Sequence, residues 1–264
     1  MSAALVLGIL IGAILGLTGA GGGMLAVPAL VAGLDLSMQQ AAPISLIAVS
    51  ASAAIGAWHG FRHRLLRLRG ALLMAAAGAP FTWAGVSLAQ HISQSLLQTL
   101  FALAMLAAAI RMLQASAPGA QETDVARIAK VCETTGRFTW NWPTALLLAG
   151  IGSICGLMTG LLGVGGGFIM VPLLRRFSNV SMHGVVATSL AVIAMVGGVG
   201  IATSLAHGTQ IPLTITLWFA GSCMVGMLAG RKLSQHLSAS MVQRGFAMLL
   251  FIIALVMLWR AWNV

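Results

Sequence analysis

The sequence predicts an all-α polytopic membrane protein made of two homologous repeats, and three observations predict it. Of 264 residues, 59% are hydrophobic and 7% charged, where a soluble domain carries about 25% charged residues. The apolar residues fall in runs of about 20 or more, the length a helix needs to cross a hydrocarbon core. The two halves of the chain also align on each other. A bilayer core offers no water to backbone groups, so only helices or closed barrels span it. Long uniform runs are not the short alternating segments of a barrel, and helices are expected.

Apolar segments lie at 3–33, 38–58, 71–90, 95–114, 142–174, 182–206, 211–230 and 240–260. The one sizeable polar stretch, 115–141, separates a first membrane repeat (1–114) from a second (142–264) and is expected to be a cytoplasmic linker. The first run has no basic leader and continues past signal-peptide length, so it is expected to be retained.

The duplication is read directly. Shifted by 144, GILIGAILGLTGAGGGMLAVPAL (8–30) lies over GSICGLMTGLLGVGGGFIMVPLL (152–174), matching every glycine of the first window and Pro28 to Pro172. Met38, Ser45 and Leu46 fall on Met182, Ser189 and Leu190. Further along, at a shift of 145, Gln90-His91 matches Gln235-His236.

Charge placement orients the halves. Glu122, Asp124 and Glu133 share the linker with three basic residues, so the net charge of +10 comes from the membrane repeats. Such a basic chain invites a nucleic-acid reading, but its cations sit at the ends of apolar runs, where they set topology. The first half carries its basic loop after the second segment (Arg62, Arg64, Arg67, Arg69). The second half carries its cations after the first (Arg175, Arg176) and after the third (Arg231, Lys232). Opposite signatures predict inverted repeats. Two four-crossing units in series cannot be inverted, so the long first segment of each half is expected to break at its glycines and fold back as a re-entrant hairpin, followed by three transmembrane helices. A long kinked crossing in each half, giving eight crossings, is the alternative.

The glycines divide into two sets. Gly8, Gly12 and Gly16, with Gly152, Gly156 and Gly160, share one helix face and are expected to admit a neighbouring backbone. The runs Gly19-Ala20-Gly21-Gly22-Gly23 and Gly163-Val164-Gly165-Gly166-Gly167 precede new helices expected at Met24 and Phe168, with Pro28 and Pro172 in their early turns. A helix start at membrane depth presents unpaired N–H donors, an environment suited to a small anion. The plainer reading is a hinge. Candidate substrate contacts are therefore Gly19, Gly21, Gly22, Gly23, Met24, Gly163, Gly165, Gly166, Gly167 and Phe168, with Ser45 and Ser189 added because they recur soon after each motif. Ser50, Ser52, Thr188, Thr203 and Ser204 are weaker candidates; for all these hydroxyls the alternative is bonding to the backbone one turn back.

Several chemistries find no support. Met24 and Phe168 stand where a dinucleotide loop needs glycine, and no strand precedes either run. The three cysteines are far apart, and His59, His91, His207 and His236 have no grouped Asp, Glu or Cys, so neither a metal nor another cofactor is expected. Nothing resembles a hydrolase elbow. No carboxylate lies deep in an apolar run, which favours an anionic cargo over a cationic one.

The doubled G-x-x-G-x-G-G-G-x-x-x-V-P, at Gly16–Pro28 and Gly160–Pro172, resembles the TauE/SafE sulfite exporter family, also described as the toluene-sulfonate uptake permeases. The resemblance implies a multi-pass permease of the bacterial cytoplasmic (inner) membrane that moves sulfite, organosulfonates or other sulfur-containing anions, often outward. An anion channel and a non-transporting scaffold remain the alternatives. The residues leave the substrate, coupling and oligomeric state open, a homodimer among the options.

Overall fold

A computed structural model describes residues 2–19, 21–115, 141–209, 211–234 and 239–263. Most of the linker, Cys132, Ala20 and the Gln235-His236 match lie outside the described residues. Among the described residues ten α-helices are seen: α1 (Ser2–Thr18), α2 (Ala26–Leu34), α3 (Met38–Arg62), α4 (Leu68–His91), α5 (Gln94–Ala115), α6 (Trp142–Leu162), α7 (Gly167–Phe177), α8 (Met182–Ala206), α9 (Leu213–Ser234) and α10 (Ala239–Asn263). Seven of them (α3 to α6 and α8 to α10) are long and apolar enough to cross a membrane. Large apolar side chains such as Leu72, Trp83, Leu146, Leu217, Val225 and Ile252 are exposed along these helices. So much apolar surface belongs against lipid, and the chain is a multi-pass membrane protein.

The ends of the helices follow local chemistry. Ser37 and Ser181, one repeat apart, cap α3 and α8: Ser37 accepts from the Gln40 N–H, and Ser181 from that of Gly184. Each cap occupies a donor that has no partner within the helix. Helices α3, α7 and α9 run a turn past the expected apolar edges because their last turns hold Arg62, Arg175 and Arg176, or Arg231 and Lys232. Cations are stabilised at the negative end of the helix dipole.

Both long segments break where the glycines predict. After α1, a short 3-10 turn (Gly22–Leu25) leads into α2. The α-helix thus starts at Ala26, two residues beyond the expected Met24. In the second half α7 starts at Gly167, one residue before the expected Phe168. Helix α2 turns back along α1: Gly22 lies on the backbone of Leu15, and a methyl group at Gly33 would sit 2.5 Å from Leu7 Cδ1. In the same way Gly166 lies against Cys155 and Thr159 of α6. The first pair is a hairpin, and the second reverses direction at its glycines.

The halves interlock by exchange. Helix α1 runs parallel to α9 of the other half, with Gly8, Gly12 and Gly16 against Ser222, Cys223 and Met227. Helix α6 does the same with α4, where Gly152, Gly156 and Gly160 lie on Met74, Gly78 and Thr82. These are backbone contacts that a Cβ would prevent, and the packing role expected for these glycines is observed. Thr82 Oγ1 adds a cross-helix bond to the Gly156 carbonyl at 3.1 Å. The equivalent helices α3 and α8 cross at the centre and are the most buried spans. Leu46 lies by Gly200, Ser50 by Gly197, Leu190 by Gly56 and Ala187 by Gly60, so the pair is antiparallel. Helices α5 and α10 are antiparallel too: Gln243, early in α10, donates to the Met112 carbonyl late in α5 at 3.0 Å.

This arrangement sorts charge. The end of the bundle formed by the end of α3, the start of α8 and the ends of α7 and α9 gathers Arg62, Arg64, Arg67, Arg175, Arg176, Arg231 and Lys232. Asp35, the only described carboxylate side chain, caps α2 at the opposite end.

Candidate functional site

The two breaks meet in the middle of the bundle. A methyl group at Gly23 would lie 2.9 Å from Val49 Cγ1 and 3.0 Å from the Val164 carbonyl oxygen, so the first break touches the second. One at Gly165 would lie 2.8 Å from Ile193 Cγ2 and 3.4 Å from Val49 Cγ1. Val49 and Ile193 are repeat equivalents, and both line the contact. The outer parts of the breaks touch the other half: Gly163 abuts Ala42 of α3, and Gly19 abuts Val186 of α8. Ala42 and Val186 are again 144 apart, so the internal symmetry read from the glycines governs the contacts themselves.

Glycine is required here on two counts. Gly19, Gly163, Gly165 and Gly166 have φ of 80°, 69°, 82° and 61°, values that cost an L-residue roughly 1–2 kcal/mol. The approach is also close, since a Cβ at Gly166 would fall 2.6 Å from the Cys155 carbonyl oxygen. The whole second run, Gly163 to Gly167, is buried, as are Gly22, Gly23 and Met24; Phe168, Gly19 and Gly21 are half-buried. Gly163 closes α6, its N–H donating to the Thr159 carbonyl at 2.9 Å. The Gly166 carbonyl accepts from the N–H groups of Ile169 and Met170. Pro28, third in α2, costs no helix bond, whereas Pro172 inside α7 leaves the Phe168 carbonyl without its usual donor.

The hydroxyls separate into two groups. Thr188, Thr203 and Ser204 each donate to a carbonyl one turn back, at 2.7, 2.8 and 2.9 Å, which is the plainer role expected for them. Ser52 points to Cys223 Sγ at 3.6 Å. Ser45, Ser50 and Ser189 are buried, and their hydroxyls have no hydrogen-bond partner among the described residues. A buried unpaired hydroxyl costs about 1–3 kcal/mol, so each of the three marks a point where polarity is kept for another purpose. Ser45 lies on α3 one turn from both Ala42 and Val49; Ser189 lies likewise between Val186 and Ile193 on α8. Each serine therefore shares a helix face with residues that touch the breaks.

The pair does not form one cluster. Leu46 is level with Gly200, eleven residues beyond Ser189 on α8. The two hydroxyls are thus about 18 Å apart along the bundle, one on each side of the contact between the breaks. Among the described residues no group of His, Cys, Asp or Glu is placed to hold a metal ion. The contributions of Ala42, Val49, Val186 and Ile193 had no chemical signal in the sequence; only the 144-residue shift pairs them.

The comparisons with known proteins agree with this architecture. The family described as sulfite exporter TauE/SafE matches residues 4–257. A "Probable membrane transporter protein" of Xylella fastidiosa strain Temecula1 is 27% identical over 262 residues, covering 96% of this chain and 93% of that protein. Its counterpart in strain 9a5c is 28% identical over 264 residues with the same coverage. A "Probable membrane transporter protein MamO" of Paramagnetospirillum magneticum is 29% identical over 115 residues, which is 41% of this chain and 18% of that protein. No solved structure matches significantly. With the family match spanning nearly all of a duplicated, Gly-broken helical membrane chain, the protein belongs to the sulfite exporter TauE/SafE family.

Proposed function

We propose that the protein is a secondary transporter of the bacterial cytoplasmic membrane that carries small sulfur-containing anions, such as sulfite or organosulfonates, outward along the two glycine breaks. One observation carries this reading: Gly23 meets Val164 between α3 and α8, flanked by the unpartnered hydroxyls of Ser45 and Ser189. Non-helical backbone at membrane depth belongs in a protein-lined site, and the donors at a restarted helix suit an anion. The family and the transporter names of its Xylella relatives point the same way.

The repeats are inverted in this reading, with the basic end cytoplasmic and the hairpins entering from opposite faces. The antiparallel run of α3 with α8 and of α5 with α10 supports inversion, and the fold-back of α2 on α1 supports re-entry. Substrate contacts are assigned to both glycine runs, to Ser45 and to Ser189. Labelled sulfite supplied to liposomes holding the purified protein and unlabelled sulfite should accumulate transiently by counterflow. Sulfite flux without counterflow would favour a channel. Absence of flux for sulfite, sulfoacetate and thiosulfate alike would sink the transport reading and favour a scaffold.

A further inference from the structure

At the basic end of the bundle, three nitrogen-bearing side chains converge, with no acid beside them among the described residues. Arg231 Nη2, on α9, lies 3.0 Å from His59 Nδ1 on α3. Arginine offers donors only, so His59 Nδ1 accepts, and the ring is neutral with its proton on Nε2. The His63 ring stacks beside it, with centroids 4.3 Å apart. Asp35, the one described carboxylate side chain, lies before the opposite end of α3, more than 20 residues from His59. Among the described residues the guanidinium pairs with a neutral ring and no carboxylate, a combination that favours an oxyanion over a carboxylate-paired structural role.

The location ties this cluster to the first break. A methyl group at Gly16 would touch the Arg231 backbone nitrogen at 2.7 Å. Gly60, beside His59, packs on Ala187, and the next residue, Val186, abuts Gly19. The pseudo-equivalent bridge at the other end has serine where this one has arginine: Ser87 Oγ meets His207 Nε2 at 3.0 Å. A small, mostly apolar cavity of about 50 Å³ near that end has Gln39, Gln90, Ser204 and Thr209 as its polar lining and no cation.

We propose that Arg231, His59 and His63 form an entry site that captures the oxyanion at the basic mouth before it reaches Gly19 and Ser189. The fork of Arg231, held through one Nη by His59 Nδ1, supplies donors for two oxygens of a sulfite- or sulfate-like group, with the His63 ring beside it. The proposal rests on the anion-transport reading and gives that reading a sided first contact.

The test uses the full-length protein carrying ¹⁵N-histidine, with sulfite and then sulfate as probes. His59 and His63 signals, assigned through His59→Asn and His63→Asn, should shift saturably. Arg231→Gln should weaken the apparent dissociation constant about tenfold or more, and Arg231→Lys by less, since charge stays while the fork is lost. Ser87→Ala should leave it within about twofold. Unmoved His59 and His63 signals in a protein that does carry sulfite would overturn the entry site and leave the transport reading intact. An equal weakening in Ser87→Ala and Arg231→Gln would also overturn it, because the effect would then be general. Saturable shifts in a protein that carries no anion would support the site and overturn the transport reading.

Discussion

Two glycines of α6 differ only in what faces them, and replacing each by alanine separates helix propensity from packing. Gly150 is exposed with no atom within 4 Å of a Cβ, so Gly150→Ala only adds a better helix former. That change is worth about 1 kcal/mol in a helix interior. Gly156 is buried on α4, and its added methyl would fall inside contact distance of the Gly78 carbonyl oxygen and 2.8 Å from Gly78 Cα. Backbone cannot swing aside as a side chain does, so α4 and α6 must part along the seam that Thr82 also bridges. Overpacking of this kind costs about 1–3 kcal/mol. With the propensity gain common to both, Gly156→Ala should be less stable than Gly150→Ala by roughly the overpacking cost. Thermal melts of the two variants in one detergent, followed by size-exclusion fluorescence, should then differ by about 2–10 °C. A midpoint for Gly156→Ala equal to or above that of Gly150→Ala would refute the exchanged packing of α4 on α6.

Other outcomes follow from the same contacts. Gly12→Ala, whose methyl would run into the Cys223 carbonyl, should repeat the Gly156 loss in thermal melts, because the two glycines are repeat equivalents. Asp35 is held at φ 50°, so Asp35→Gly should stabilise the protein by up to about 1 kcal/mol, and flux should be unchanged because Asp35 lies outside the proposed path; a lost flux would contradict that. Single cysteines placed at residues 35 and 208 should react with an impermeant thiol reagent from one side of the membrane, and cysteines at 64 and 176 from the other. Labelling of 35 and 64 from one side would contradict the inverted arrangement.

Much of this fold was legible because apolar length and glycine are strong signals in a chain with few charges. Helix α8 begins and ends at the residues that bounded its apolar run, and both breaks fall on the glycine runs. The starts of the restarting helices were less legible: with Gly22 lying against Leu15, the first break continues through a 3-10 turn to Ala26. Pairing was hidden altogether, since nothing in α1 alone says that it packs on α9 and not on a helix of its own half. The separation of Ser45 from Ser189 was hidden for a related reason. Recurrence marks equivalence, and under an antiparallel crossing equivalent residues away from the crossing point are carried to opposite ends. The role of His59 depends on Arg231, 172 positions away, a distance that no local pattern spans.

In the proposed transport the glycine breaks and the unpartnered serines beside them form the anion path. Replacing Ser45 and Ser189 together by alanine removes two buried hydroxyls that bond nothing, so the protein should melt at or slightly above the parent temperature. Labelled sulfite counterflow by that double variant is the most direct measurement. Counterflow should fall at least about tenfold, as expected when a polar contact is lost at each of two successive points along the path of a desolvated anion; a double variant that exchanges sulfite at the parent rate would contradict the assignment.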